Sequence, residues 1–403
     1  MEARRRRKAR MDRDGSSERG RDGKSGPQRN GSSAIKKLFF VFFVVFGIGA
    51  LGYSLSVLRP VEMDDIPIFQ ADIKINQVLE QGERIIVGQV GPESMAIDKN
   101  GNIYTGLRDG RIIKIHPSAT GELGVGLVED FRNGPIPGVE PIDGHVIPRP
   151  LGLRLRGDIL YVVDAYYGIY TLNMKTKEVR PLVKPDDVEP SMKFPNDLDI
   201  SKDGKYIYFT DTSSKWNLGL FYYDVLEGEC LGRLFRLTVK TGEIKLLASK
   251  LCFANGVQLS NDESRVAVSE TTRFRVLFLD TKTGKVEKVT DVPSMPDNIR
   301  RSQKGGFWVA LPVGRSHFVD FLWKYSILRR VFTGLVPYSL YPRFASDKYG
   351  LAVELDANGN IVSYVHDITG KTSKTVSELM ETKDGALFAG SYKEPYMVKV
   401  EKR

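Results

Sequence analysis

The apolar pattern of the chain falls into two parts. From Leu38 to Val57 there are twenty consecutive residues without a charge, and a helix of that length rises about 30 Å, the hydrocarbon thickness of a bilayer. This run is predicted to be a membrane-spanning signal-anchor helix. Beyond it the period shortens. Val-, Ile-, Tyr- and Phe-rich runs come in pairs, each pair broken by a short turn rich in Asn, Asp and Gly, which is the pattern of a β-hairpin. Three pairs run from Met95 to Leu107 (turn Lys99-Asn100-Gly101-Asn102), Gly152 to Asp164 (Arg156-Gly157-Asp158) and Asp197 to Asp211 (Ser201-Lys202-Asp203-Gly204). Three more run from Gly256 to Glu270 (Ser260-Asn261-Asp262-Glu263), Asn298 to Leu311 (Ser302-Gln303-Lys304-Gly305-Gly306) and Glu378 to Ser391 (Thr382-Lys383-Asp384-Gly385).

The starts of these six pairs lie 57, 45, 59, 42 and 80 residues apart, blade length with insertions. The expected fold is therefore all-β, a six-bladed β-propeller behind an N-terminal single-pass transmembrane helix. Leu351 to Leu355 and Asn360 to Val365 read as outer strands, and Arg84 to Val90 as the strand that closes the ring. The expected domains are a basic disordered tail (1–37), the anchor (38–57), a stem (58–82) and the propeller (83–403). Within the propeller, Phe318, Phe321, Leu322, Tyr325, Leu328 and Phe332 recur at helical spacing beside Lys324, Arg329 and Arg330. A helical insertion over about 314–346 is expected there, either packed on the rim or lying as a lid over the channel and touching the membrane surface.

Charge changes the picture once it is located. Of the net +9, residues 1–37 carry +8, thirteen Lys and Arg against five Asp and Glu, so the folded part is close to neutral. No basic stripe is left to neutralise phosphates, and nucleic acid is excluded as a partner. The positive flank instead orients the anchor with its N-terminus in the cytosol, a single-pass type II membrane protein. The propeller would then be extracellular or lumenal, at the plasma membrane or endoplasmic reticulum. The two cysteines, Cys230 and Cys252, either pair or lie buried as small hydrophobes.

The residue just before each hairpin occupies a repeated slot: Glu93, Leu151, Asn196, Asn255, Asp297, and Ser377 beside Glu378. In a propeller the innermost strands start beside the channel, so these side chains are expected to converge on its axis. Carboxylate and amide oxygens without Cys or His form a hard-donor set suited to Ca²⁺. Two carboxylates also balance a divalent charge.

Seven segments together resemble the strictosidine-synthase-like family. They are Gly91-Pro92-Glu93-Ser94, Arg149-Pro150-Leu151-Gly152, Val163-Asp164-Ala165-Tyr166-Tyr167-Gly168, Phe194-Pro195-Asn196-Asp197, Tyr208 through Trp216, Phe253-Ala254-Asn255-Gly256-Val257 and Pro296-Asp297-Asn298-Ile299. The resemblance covers nearly everything after the tail. It implies a propeller related to paraoxonases and gluconolactonases, with a channel calcium and arylesterase or lactonase activity. The metal ligands of those hydrolases fall on Glu93, Asn196, Asn255 and Asp297, with Asn298 as a further ligand. Two positions depart from the relatives. The paraoxonase catalytic His falls on Ala165. The catalytic Glu of the true synthases falls on Glu378, but its neighbouring His falls on Val376, and those synthases lack the calcium set.

The expected chemistry is hydrolysis of a small aryl ester or lactone, assisted by Ca²⁺, with Asp164 or Glu378 as the catalytic base. Among the four histidines, only His145 and His317 lie in segments able to overhang the channel. No Gly-x-Ser-x-Gly elbow occurs, which argues against a serine hydrolase. The rivals are a binding or adhesion propeller whose metal only pins the blades, and an amine-aldehyde condensing enzyme using Glu378.

Overall fold

The computed structural model describes residues 31–67, 69, 75–345 and 348–401, with side chains from residue 36 onward. The chain divides into two units, Met1–Gly49 and Ala50–Arg403. Helix α1 (Gly31–Leu55) contains the apolar run, and Lys36–Leu55 is long and apolar enough to cross a membrane. The helix begins seven residues before the expected anchor and stops two residues before its expected end. Residues 31–37 therefore belong to the helix rather than to a disordered tail. Nothing in Gly31-Ser32-Ser33-Ala34-Ile35-Lys36-Lys37 is a helix breaker of the proline type, so the turn propagates backward. The remainder of the predicted tail, 1–30, lies outside the described residues.

After α1 come strand β1 (Glu83–Ile85) and the first blade, β2 (Met95–Ile97), β3 (Ile103–Gly106), β4 (Ile112–Ile115) and β5 (Val128–Arg132). The second blade is β6 (Pro150–Arg156), β7 (Ile159–Asp164), β8 (Gly168–Asn173) and β9 (Val179–Val183). The third is β10 (Pro195–Ile200), β11 (Tyr206–Asp211), β12 (Gly232–Thr238) and β13 (Glu243–Leu251), with α2 (Phe221–Glu227) between its middle strands. The fourth is β14 (Ala254–Leu259), β15 (Arg265–Glu270), β16 (Arg275–Asp280) and β17 (Val286–Asp291). The fifth is β18 (Ile299–Arg301), β19 (Phe307–Ala310), β20 (Gly350–Leu355) and β21 (Ile361–Asp367), interrupted by α3 (His317–Lys324) and α4 (Ser326–Leu335). The sixth is β22 (Glu378–Glu381), β23 (Leu387–Gly390) and β24 (Met397–Val400).

Each blade is a four-stranded antiparallel sheet, and the sixth is completed by β1, which pairs with β24 through Glu83↔Lys399 and Ile85↔Met397. The first β-strand thus supplies the outer strand of the last blade and closes the ring, the expected closure in a shorter form. Six hairpins and the outer pair β20–β21 stand where the sequence places them. Six apolar cores follow from this geometry, one between each pair of neighbouring sheets. Leu151, Leu153 and Leu160 of the second blade meet Ala96, Tyr104 and Ile112 of the first, and Met95, Ile103 and Ile113 meet Phe388 and Met397 across the closure.

The expected stem is not a free linker. Leu58 and Leu79 are fully buried, Asn76 Nδ2 donates to Tyr364 O at 2.8 Å, and Leu79 N donates to His366 O at 3.0 Å. Both ends of the 58–82 segment are packed on the propeller. Cys230 and Cys252 form a disulfide, which resolves the alternative left open by the sequence.

Candidate functional site

The slot residues lie where the inner strands start. In β6, β10 and β14 the register against the second strand slips at the same place, between Pro150 and Leu153, Pro195 and Leu198, and Ala254 and Val257. The strand is bent there, which re-aims the residue inside the bulge. The glycine beside the slot allows the next blade to approach. A Cβ on Gly256 would stand 2.5 Å from Ile299 N and 2.6 Å from Asp297 O, and one on Gly152 would meet Asp197 Oδ1 at 2.5 Å.

Two threonines fix the direction of the amides. Thr212 Oγ1 donates to Ala254 O at 2.7 Å, and Thr271 Oγ1 donates to Pro296 O at 2.6 Å. Each hydroxyl has only one proton and spends it on a carbonyl, so toward its other neighbour it can only accept. That neighbour is Asn196 Nδ2 at 3.1 Å in one blade and Asn255 Nδ2 at 3.2 Å in the next. The amide nitrogens are therefore turned outward and the oxygens inward. Asn196 Oδ1, Asn255 Oδ1 and Asn298 Oδ1 are buried and accept no hydrogen bond from any described residue. Three unsatisfied carbonyl-type oxygens in one site are costly in a protein interior unless a cation or donor reaches them.

The carboxylates give the same indication. Glu93, Asn196, Asn255, Asp297 and Asn298 are each at most 6% exposed. Burial lifts Glu93 to about 7, with Arg149 pulling it back and Glu378 and Asp197 adding to the rise. Burial, and then the charge of Glu93, push Asp297 well above the usual carboxylate range, while the Asn255 amide opposes the rise. Glu93 and Asp297 thus feel one another as like charges in a dry place. Glu93 Oε2 accepts from Arg149 Nη2 at 2.8 Å, whereas Asp297 is in no ion pair with a described residue. The donor set is amide-rich: no three His, Cys, Asp or Glu among the described residues are grouped to hold a metal. Two carboxylates and three amide oxygens fit Ca²⁺ far better than a metal that wants nitrogen or sulfur.

Next to these residues lies a buried ion network. Arg300 Nη1 pairs with Asp197 Oδ2 at 2.8 Å, Arg300 Nη2 pairs with Glu378 Oε2, and Ser94 Oγ accepts from Arg300 at 3.0 Å. Burial opposes the charge on Asp197, but Arg154 and Arg300 outweigh it and hold its pKa below the ordinary value. Glu378 also accepts from Met95 N at 2.8 Å, so its two oxygens are committed to joining the last blade to the first and fifth. That candidate base sits in the ion network, with the inner strands around it.

Asp164, the other candidate base, is fully buried at the end of β7. Its Oδ1 accepts from Tyr166 N at 3.0 Å and Tyr167 N at 3.2 Å, and its Oδ2 has no partner among the described residues. In the next two blades the equivalent acid has an arginine: Asp211 pairs with Arg233 at 2.7 Å and Glu270 with Arg275 at 2.5 Å. In the second blade the facing position is Gly168, so Asp164 has no such partner. Burial raises it to about 6 despite the Tyr166, Arg149 and Tyr167 backbone amides.

Around the slot, Phe194 and Phe253 meet edge to face, and Phe221 of α2 meets Phe253 in the same way. His145 lies exposed on the rim with its ring 4.3 Å from that of Tyr166, while His317 is exposed at the start of α3. The expected single helical stretch of the insertion is two helices, because Tyr325 leaves the helical region (φ −128°, ψ 103°). These helices pack on α2 and on the 58–67 segment. Tyr338 and Tyr341 meet Tyr222 and Tyr223, and fully buried Arg329 donates to Leu226 O at 2.9 Å and to Val61 O. Arg149, Arg300, Thr212 and Thr271 were not singled out from the sequence. A recurring threonine 16 residues after each slot asparagine is the one sequence signal that could have found the last two.

Residues 168–280 match the family model described as strictosidine synthase, and residues 73–115 match the one described as strictosidine synthase-like, N-terminal. A chicken protein named adipocyte plasma membrane-associated protein is 35% identical over 393 residues, 92% of either chain. Among solved structures, a gluconolactonase from Xanthomonas campestris superposes with a TM-score of 0.52 at 15% identity, covering 85% of this chain and 98% of that one. A calcium-binding regucalcin from Agrobacterium tumefaciens gives 0.50 at 10% identity, covering 79% and 92%. At such identities these two share the fold. The relative that matches along nearly its whole length settles descent: the chain belongs to the strictosidine synthase-like family, among the adipocyte plasma membrane-associated proteins.

Proposed function

We propose that the protein is a membrane-anchored, calcium-dependent hydrolase of aryl esters or lactones. The observation that carries this reading is the set of inward-turned amide oxygens of Asn196, Asn255 and Asn298 beside Glu93 and Asp297. Those five residues would hold the ion, and when bound it would polarise a substrate carbonyl and favour the developing oxyanion. The chain's own contribution is positional. Thr212 and Thr271 keep the amide oxygens aimed, and Arg149 holds Glu93. Phe194 and Phe253 exclude water from the slot. Glu378 is bound to Arg300, so Asp164, with Oδ2 unengaged, is the base in this reading. A gluconolactonase and a calcium-binding regucalcin use the same fold, and the relative's name places it at a plasma membrane, in keeping with the apolar α1. The disulfide supports a propeller on the oxidising side of that membrane.

A second reading is favoured by the Arg300 network: buried ion pairs between the inner strands suit a propeller in which the ion only pins the blades and the surface binds a partner. Turnover of phenyl acetate and a small lactone, with Ca²⁺ and with chelator, separates the two. The hydrolase reading expects turnover that chelation or Asn255→Ala abolishes. The binding reading expects calcium to raise the melting temperature with no turnover. The condensing-enzyme alternative requires Glu378 as a free base, which its pairing with Arg300 opposes.

A further inference from the structure

A cavity of about 350 Å³ lies at the last turn of α1, lined by Tyr53, Arg59, Pro60, Ser326, Ile327 and Arg330. It is separate from the slot on the propeller axis, and its walls are built rather than incidental. A Cβ on Gly334 would stand 1.8 Å from Gly52 O, and one on Gly52 would meet Leu335 Cγ at 2.6 Å, so these two glycines let the end of α1 press directly on α4. Ser56 and Thr333 hydroxyls bond at 2.7 Å beside them. Arg330 is held in place, with Nε donating to Tyr53 O at 3.2 Å and its guanidinium 3.8 Å over the Tyr53 ring. Neither Arg330 nor Arg59 is in an ion pair with a described residue. The nearby acid, Glu62, accepts from the Ser326 hydroxyl.

Two guanidiniums lining one cavity, neither in an ion pair with a described residue, suit a phosphate group, because the planar fork fits phosphate oxygens and stays charged at any physiological pH. The position says which phosphate. Tyr53 is two residues from the end of a helix apolar enough to cross a bilayer, where aromatic side chains sit at headgroup level. Around the cavity the surface is apolar: Ile327 is 65% exposed, Phe321 53%, Tyr325 49% and Leu335 41%. We propose that this cavity seats the phosphodiester headgroup of a membrane phospholipid, gripped by Arg59 and Arg330, while the apolar residues of α3 and α4 lie against its acyl chains. The insertion is then a lipid-bound platform that holds the propeller against the bilayer. This inference rests on α1 being a membrane anchor.

The test uses the full chain purified in a maltoside detergent. Dihexanoyl phosphatidylglycerol, dihexanoyl phosphatidylcholine and inorganic phosphate are titrated separately, with the melting temperature as readout. Both phospholipids should raise it saturably, and Arg59→Gln and Arg330→Gln should each weaken the effect roughly tenfold, the loss of one charge-assisted contact. Inorganic phosphate should act only at far higher concentration. Without lipid, Arg59→Gln should melt with the wild type and Arg330→Gln slightly below it, having lost its contacts with Tyr53, and both should keep the wild-type ester turnover. No saturable rise in the wild type, an unchanged rise in the double variant, or inorganic phosphate as effective as the phospholipids would each overturn the headgroup site. Carbonate extraction of the full chain from membranes separates the two failures. A chain that stays in the membrane but gives no lipid response sinks this proposal alone, and a chain that is released sinks the anchor it rests on.

Discussion

At the scale of single residues, the site depends on the direction in which two asparagine amides point. Thr212→Val keeps the shape and removes the hydroxyl that accepts from Asn196 Nδ2 and donates to Ala254 O. Two buried polar groups lose their partner, so a destabilisation of about 1–3 kcal/mol is expected. Calcium affinity should also fall, because the amide is free to turn. Urea denaturation and calcium titration of the variant check both. Asp164 gives a pH signature of its own. Its pKa is raised by burial to about 6 from an unfolded value of 3.8, so the folded state binds the proton more tightly, and stability is lost as pH rises from about 4 to about 6. Asp164→Asn keeps the acceptor for Tyr166 and Tyr167 without the charge. The variant should match the wild type near pH 4 and exceed it above pH 6, by on the order of 3 kcal/mol, while ester turnover falls if Asp164 is the base. Stability curves that run parallel across this range would contradict the assignment of a buried, unpaired carboxylate. Glu93, Asn196, Asn255 and Asp297 were legible in the sequence because they recur in one slot, whereas Asn298 entered only through the family resemblance. Their orienting partners were less so: Thr212 bonds a carbonyl of the following blade and Arg149 reaches back to the first, and such contacts depend on how blades stack rather than on spacing along the chain.

At the scale of elements, the hairpins were readable because each carries its own turn chemistry, and the closing strand because a propeller needs one. The insertion was only half readable. Phe318 through Phe332 keep helical spacing straight across Tyr325, yet the backbone breaks there, and the reason is tertiary: α3 packs on Phe274 through Trp323, while α4 turns to bury Arg329 against α2 and Val61. The packing of the 58–82 segment was not readable for the same reason, since Leu58 and Leu79 carry no periodic signal, yet both are fully buried and Leu79 joins the apolar core between the fifth and sixth blades. Gly256 tests how closely inner strands must meet. Gly256→Ala forces β18 away from β14 and should cost about 1–3 kcal/mol. Because Asp297 and Asn298 move with β18, the stabilisation by calcium should shrink with it; an unchanged calcium shift in this variant would mean that the two strands do not jointly form the site.

At the scale of the whole molecule, three devices hold the ring: β1 against β24, the Arg300 network between the inner strands, and the disulfide that ties the start of β12 to the start of β14 across 22 residues. Replacing Cys230 and Cys252 by serine should cost about 3 kcal/mol by the loop-closure argument, read as a lower urea midpoint than that of the oxidised wild type. Glu378→Gln should also destabilise, by about 1–3 kcal/mol, because it removes one of the two carboxylates that face the buried Arg300 and leaves Asp197 as its remaining ion partner. Loss of activity in that variant therefore says nothing about catalysis unless its fold is intact. The central claim is that the propeller axis grips a hard divalent cation through amide oxygens set by the fold. Isothermal titration of the chelator-stripped chain with Ca²⁺ tests it most directly. One calcium per chain should bind in the wild type and none in Asn255→Ala; a wild type that takes up no calcium, or an Asn255→Ala variant that binds it equally well, would contradict the account.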